Sequence, residues 1–385
     1  MTAPFTSLAL AAHASALMPD LKVVGLCPPT DQSESLQRQG IVDDQGRRWV
    51  VCAPLNDETA MAVEAQSFVL QILHRAFELG HIPFDVPVIE AQGRGSKTAG
   101  VFVHAQLPGE QMEWEDLASR PNLVTSVANA VAHLHALSPQ VIERSGLPSY
   151  QPQALRERWQ ALLDEGVRAW TIPANLFERW EAALDNVALF KLLPSVVHGD
   201  MGPEVFTVSG SSVATISSFG RAHLGDPAED LHWIASHPDS ELVRRFFDIY
   251  TAKLGSRVDL HLHTRCQLYS ELALVKWLLH GYRTQDSEVI ADAQQMLREL
   301  SEELGDAQLV PLPPRASQSA ETVSGDGHDL GEGKDLGEGP AGDATTPATS
   351  AGASQYSDPQ FDLYDPEAPT VDLSAVIQEV LDHQH

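Results

Sequence analysis

The sequence predicts an α+β protein carrying a separate C-terminal arm, and three observations support that expectation. Short β-patterned runs crowd the first hundred residues. Helical patterns dominate from there to about residue 305. Inside that helical half, residues 194–208 (PSVVHGDMGPEVFTV) read instead as a strand, a sharp loop and the first arm of a hairpin. The expected division is therefore 1–105, 106–305, a linker over 306–369 and a short terminal helix over 370–385.

Taken in order, residues 7–18 predict a short helix capped by Ser7. Residues 21–26 and the segment around Ile41 read as strands. The run DDQG at 43–46 is a turn signal leading into RWVVCA, 48–53, a further strand. Residues 57–79 form a strong helix carrying Glu64 and Gln66, and 83–89 and 100–105 read as extended. Helices follow over 122–137, with His133 and His135 near the end, and over 154–165 and 174–190, with Trp159 and Trp180 as packing aromatics. After the His198-Gly199-Asp200 loop, Val205 to Val208 resumes an apolar segment, and Gly210 permits the return into 213–216. Four more helices run between 231 and 304.

The arm differs in kind. Residues 306–369 are rich in Pro, Gly, Ser, Thr and acid, with a near-repeat of HDLGEG and KDLGEG at 328–339, a composition too poor in apolar groups to fold alone. Beyond it, Leu373, Val376, Ile377, Val380 and Leu381 recur at helical spacing as one apolar stripe, with Asp372 or Ser374 as cap. Such a helix is expected to dock, either on a protein partner or on the chain's own body.

Charge narrows the partners. Of a net −28, the arm from residue 306 holds 15 acidic and 2 basic residues, leaving the body 38 against 23. An acidic body excludes nucleic acid and an anionic membrane surface, and suits a small cationic molecule. Three scattered cysteines (Cys27, Cys52, Cys266) predict a reducing, cytoplasmic setting without disulfides, and no Cys/His cluster has zinc spacing. The opening residues lack the basic start of a secretory signal, and no run reaches membrane-spanning length.

The chemistry centres on residues 198–200. A turn of this kind can hold the Asp200 carboxylate at the mouth of a sheet, where it could take a proton from an attacking hydroxyl, with His198 supporting the loop. Asp226 and Asp230 flank a Pro-started helix and read as structural, Asp226 as a cap.

His198-Gly-Asp200, the hairpin after it and GDPAEDL at 225–231 together resemble the core of the aminoglycoside and macrolide phosphotransferases. These are small-molecule kinases with a two-lobed, protein-kinase-like fold, and the likeness extends over roughly residues 5–300. It implies that Asp200 is the catalytic base, that Gln106 to Gly109 is the hinge between lobes, and that residues 154–190 are the substrate-side helical insertion. It also implies functional positions that this chain fills differently. The cation that grips nucleotide phosphates falls on Cys52, with Arg47 or Arg48 in a shifted register, its carboxylate partner on Glu64 or Gln66, and the two metal-binding positions on Val205 and Ser218.

Valine has no lone pair, a serine hydroxyl has no charge, and magnesium requires hard, preferably anionic oxygen. In phosphoryl transfer the metal carries much of the charge neutralisation, and losing ~4 kcal/mol of it costs roughly a thousandfold in rate. The expectation is a family member with impaired catalysis, pseudokinase-like, and no tightly bound cofactor. Two alternatives stand beside it. One is an active phosphotransferase using ATP or GTP with magnesium, Asp200 as base and Glu204 as substitute ligand; the other is an interaction protein working through its tail helix.

Overall fold

The computed structural model describes residues 5–28, 36–93, 100–310 and 370–382. The chain opens with α1 (Ser7–Leu17), capped one residue earlier than expected: the Ala9 amide donates to the Thr6 hydroxyl. Strands β1 (Val23–Cys27), β2 (Leu36–Asp43) and β3 (Arg48–Pro54) follow, then α2 (Asp57–Glu78), capped by Asn56, and strands β4 (Ala91–Gln92) and β5 (Phe102–Ala105). They form an antiparallel sheet in the order β1-β2-β3-β5-β4. Alternation along β3 divides its side chains between two layers. Trp49, Val51 and Ala53 pack with Leu10 and Ala14 of α1, whereas Val50 and Cys52 pack with Val63 of α2.

The turn between β2 and β3 is held by one carboxylate. Asp43 accepts hydrogen bonds from the amides of Gln45 and Arg47, the Arg47 Nε and the Trp49 indole. Desolvation works against its ionisation, but these bonds prevail and draw the carboxyl down to about 2. This fixes the hairpin register, in which Arg38 lies opposite Cys52.

Residues 83–89 do not join that sheet. Pro83 and Pro87 cannot donate to a ladder, and the segment instead crosses to the second lobe. There the Asp85 amide donates to the Ala214 carbonyl, and the Ile216 amide donates to the Asp85 carbonyl. His74 of α2 meets the Asp85 carboxylate at 2.6 Å.

The second lobe contains β6 (Glu110–Gln111), α3 (Trp114–Ser119), α4 (Pro121–His135), α5 (Gln140–Ser145), α6 (Pro152–Ala169) and α7 (Ala174–Asp185). After these come β7 (Ser195–Val197), β8 (Phe206–Ser209), β9 (Ser212–Ile216), β10 (His223–Gly225), α8 (Ala228–Ala235), α9 (Ser240–Leu254), α10 (Leu262–Thr284) and α11 (Ser287–Leu304). Two small sheets, β6-β8-β9 and β10-β7, present the loop at 198–200. The expected aromatics pack inside: Trp159 stacks on Tyr269 at 4.1 Å, and buried Trp180 donates to Glu271. On α10, the fully buried Arg265 pairs with Asp226 and Asp259 at 2.7–3.1 Å. Asp226 also accepts from Tyr269 and from the Ala228 amide, which ties the start of α8 to α10, while the cap position itself is Pro227.

The body continues past residue 305, since Arg179 donates to the Ala307 carbonyl and Val310 is buried. The expected linker and its near-repeat lie outside the described residues from 311 to 369.

The terminal stripe forms α12 (Ser374–Asp382), capped by Asp372, whose carboxylate accepts from the Ser374 amide. Its apolar face is covered by the chain's own body rather than presented to a partner. Leu373, Val376 and Ile377 are buried, with Val380 and Leu381 packed beside them. The helix lies against α2 and α5. Ahead of it Val371 bridges to Leu137, accepting from the Ser138 amide and donating to the Ala136 carbonyl. An ion pair at 2.9 Å joins Arg75 to Glu379. Burial, not charge, dominates this attachment. Leu373→Ala is expected to lower stability by about 2–5 kcal/mol in urea titrations of the full-length protein, against less than about 1 kcal/mol for the exposed pair in Glu379→Ala.

Candidate functional site

The loop at 198–200 is held from below by Asp230. Its carboxylate accepts the His198 amide at 2.6 Å and the Gly199 amide at 2.8 Å, and it meets His135 Nε2 at 3.0 Å. His135 in turn meets the Tyr250 hydroxyl at 2.7 Å. His135 is thus a packed imidazole, and Asp230 holds the loop as well as its helix. His198 is fully buried and donates Nε2–H to the Ser217 carbonyl, leaving Nδ1 to face the Asp200 amide at 3.4 Å. Gly199 sits at φ +82°, and an added β-carbon would lie 2.5 Å from the Arg221 carbonyl, so glycine is required there.

These constraints project Asp200 outward, its side chain 71% exposed, with Arg221 Nε 3.7 Å from its carboxylate. Cationic groups lie near it. Lys276 lies over the Trp159 ring at 4.2 Å and Arg158 over the Tyr150 ring at 4.1 Å. Lys276 is within electrostatic reach of Asp200, Glu229, Arg221 and Arg158. His223 pairs with Glu229 at 3.4 Å; burial opposes its protonation, yet that carboxylate holds it above the ordinary imidazole value.

The two expected metal positions come together without offering a metal site. Residues 203–205 form a 3-10 turn, so Val205 turns inward, 4% exposed, in the main apolar core. The Ser217 amide and hydroxyl both donate to the Val205 carbonyl, which sets Ser218 beside it. Ser218 has φ +69°, a left-handed conformation that Asp or Asn tolerates better than Ser. Glu204, the substitute ligand of the active alternative, is exposed and its carboxylate curls over Gly202. No group of three or more His, Cys, Asp and Glu among the described residues is arranged to hold a metal ion. Neither Val205 nor Ser218 offers magnesium a carboxylate oxygen.

Above them lies a cleft between the lobes, a cavity of about 40 Å³. Its lining includes Arg38, Cys52, Gln66, His104, Ser217 and Ser218. Burial pushes the Cys52 thiol up to about 12 and the His104 imidazole down to about 4, so both are neutral at pH 7. The two meet at 3.7 Å, Sγ to Nε2, while His104 Nδ1 donates to the Ala105 carbonyl. Glu64 is not part of the cleft. It faces solvent, and Gln66 takes the inward position, 7% exposed. Val63, Gln66, Leu70 and Leu73 share one helical stripe, a spacing that singles out Gln66 over Glu64. Sequence reasoning misses Arg38 as well, although counting back from the 43–46 turn places it opposite Cys52.

The pattern described as the phosphotransferase enzyme family matches residues 33–269. The chain belongs to that family. Solved structures agree at the level of the fold. A macrolide 2′-phosphotransferase from Brachybacterium faecium, as apoenzyme, is 21% identical with a TM-score of 0.63, covering 75% of this chain and 97% of its own. A macrolide 2′-phosphotransferase type I is 23% identical with a TM-score of 0.62, covering 77% and 99%. The GDP complex of an aminoglycoside 2′-phosphotransferase-IIIa is 19% identical with a TM-score of 0.63, covering 78% and 99%. No curated protein matches the chain. Among the described residues, no helix is long and apolar enough to cross a membrane.

Asp230 is the group whose removal tests this architecture. Burial opposes its ionisation, but the His135 hydrogen bond, the adjacent imidazoles and the His198 amide prevail and hold it below the ordinary aspartate value. Its contribution is therefore present above pH 3.8 and is lost as pH falls through the lower folded-state value. Asp230→Asn should cost about 3 kcal/mol at pH 7 and should weaken the acid dependence of stability, read by urea midpoints at neutral and acid pH.

Proposed function

We propose that this phosphotransferase-family protein retains the small-molecule kinase scaffold but has given up magnesium-dependent phosphoryl transfer, and that it works as a binding or regulatory module. One observation supports this reading above the others. The carbonyl of Val205 and the amide of Ser217 bring the two metal positions side by side, and neither Val205 nor Ser218 can act as an anionic oxygen ligand. Asp200 then serves as an exposed polar group of the loop. The acidic body suits a small cationic molecule, and a similar aminoglycoside phosphotransferase in complex with kanamycin supports that ligand class.

The exposure of Asp200 favours a second reading, an active small-molecule phosphotransferase with Asp200 as base. The tail helix, with its stripe buried, lends no support to an interaction protein working through that stripe.

Full-length protein assayed for nucleotide turnover should respond to magnesium by less than about twofold, because the ligands through which the ion would act are missing. The double variant Val205→Asn, Ser218→Asp should gain magnesium-dependent nucleotide binding of at least about tenfold, the left-handed backbone at 218 already suiting Asp. Strong magnesium-dependent turnover by the unaltered protein, abolished in Asp200→Asn, would establish the second reading instead.

A further inference from the structure

The cleft contains a cation that its degenerate phosphate-gripping position lacks. Arg38 on β2 is the direct cross-strand partner of Cys52 on β3. Partners in an antiparallel pair project from the same face, and both residues line the cavity. Among the described residues lining it, Arg38 is the only one charged at neutral pH, since the Cys52 thiol and the His104 imidazole are neutral. Burial draws the guanidinium down from its ordinary range. A desolvated guanidinium gains more from an anion than one in water, because the local dielectric is lower.

A second, independent feature points into the same space. Gln66 is buried on α2 and lines the cavity, and its Oε1 has no hydrogen-bond partner among the described residues. Buried amides are normally satisfied. Turning the amide by 180° exchanges oxygen for NH2 and aims two donors where the acceptor now points. Ser218, held in its left-handed conformation, borders the cavity from below.

We propose that Arg38, with Gln66 and Ser218, forms a metal-independent site for a phosphate group, the cation having moved from the third strand to the second. The inference rests on the preceding reading of the cleft, because without magnesium ligands the phosphate charge must be met by protein groups alone. Arginine is well matched to this, since its planar fork binds two phosphate oxygens at once and stays protonated even when buried. Space limits the ligand. A cavity of about 40 Å³ holds roughly three water-sized spheres. That accommodates an inorganic phosphate group directly, whereas a nucleotide requires Leu36, Ile89, Phe102 and Leu107 to part.

Calorimetric titration of the full-length protein in EDTA with pyrophosphate and, separately, with ATP tests the proposal and separates the two sources of phosphate. Binding of either probe without metal is expected, changing by less than about twofold when magnesium replaces EDTA. Arg38→Gln should weaken it by at least about tenfold, the value of a hydrogen bond to a charged group. Arg38→Lys, which keeps the charge but not the fork, should fall between the two and controls for folding through its thermal melt. Absence of metal-free binding to both probes, or unchanged affinity in Arg38→Gln, would overturn the inference while leaving the loss of phosphoryl transfer standing. Binding that requires magnesium would overturn both.

Discussion

The Asp230 carboxylate is the constraint on which the site depends. With its two oxygens it fixes the His198 and Gly199 amides, and through His135 and Tyr250 it ties the loop to α4 and α9. A buried carboxylate without such partners would be neutralised or would destabilise the fold. With them it positions a loop that contributes little apolar packing of its own. Asp226 does comparable work one turn away, joining α8 to α10 through Arg265. The acidic residues of the GDPAEDL segment are therefore architectural, and their retention says nothing about catalysis.

That separation would let a kinase-like scaffold stand without metal ligands, as the proposed function requires. The groups holding the loop are wired into the core, whereas Val205, Ser218 and Cys52 are uncharged and take no part in holding it. Val205 joins the apolar cluster, and Cys52 is neutral and buried. Ser218 holds a left-handed backbone conformation costing a non-glycine residue roughly 1–3 kcal/mol.

Much of this was legible in the sequence, for identifiable reasons. Helical stripes such as Leu373 to Leu381 repeat with a period that packing must obey, and the hairpin after Asp200 is bounded by glycine. Less legible was anything requiring two elements to be placed together. Residues 83–89 have strand-like composition, but their prolines and the free edge of β9 send them to the other lobe. Choosing between Glu64 and Gln66 needed the face that α2 turns to β3, which the stripe through Val63 and Leu70 encodes. Arg38 was hidden because it matters only through its strand partner. Whether the tail stripe meets its own body or another chain depends on the complementary groove, which no pattern within the stripe describes.

That groove has a consequence for biosynthesis. Leu373, Val376 and Ile377 belong to the same apolar cluster as the helices synthesised between residues 121 and 304. The interior is unfinished until residue 377 has joined it, so a nascent body without that segment would carry an open hydrophobic seam along α2 and α5. A chain cut before residue 370 would display that seam to chaperones and proteases.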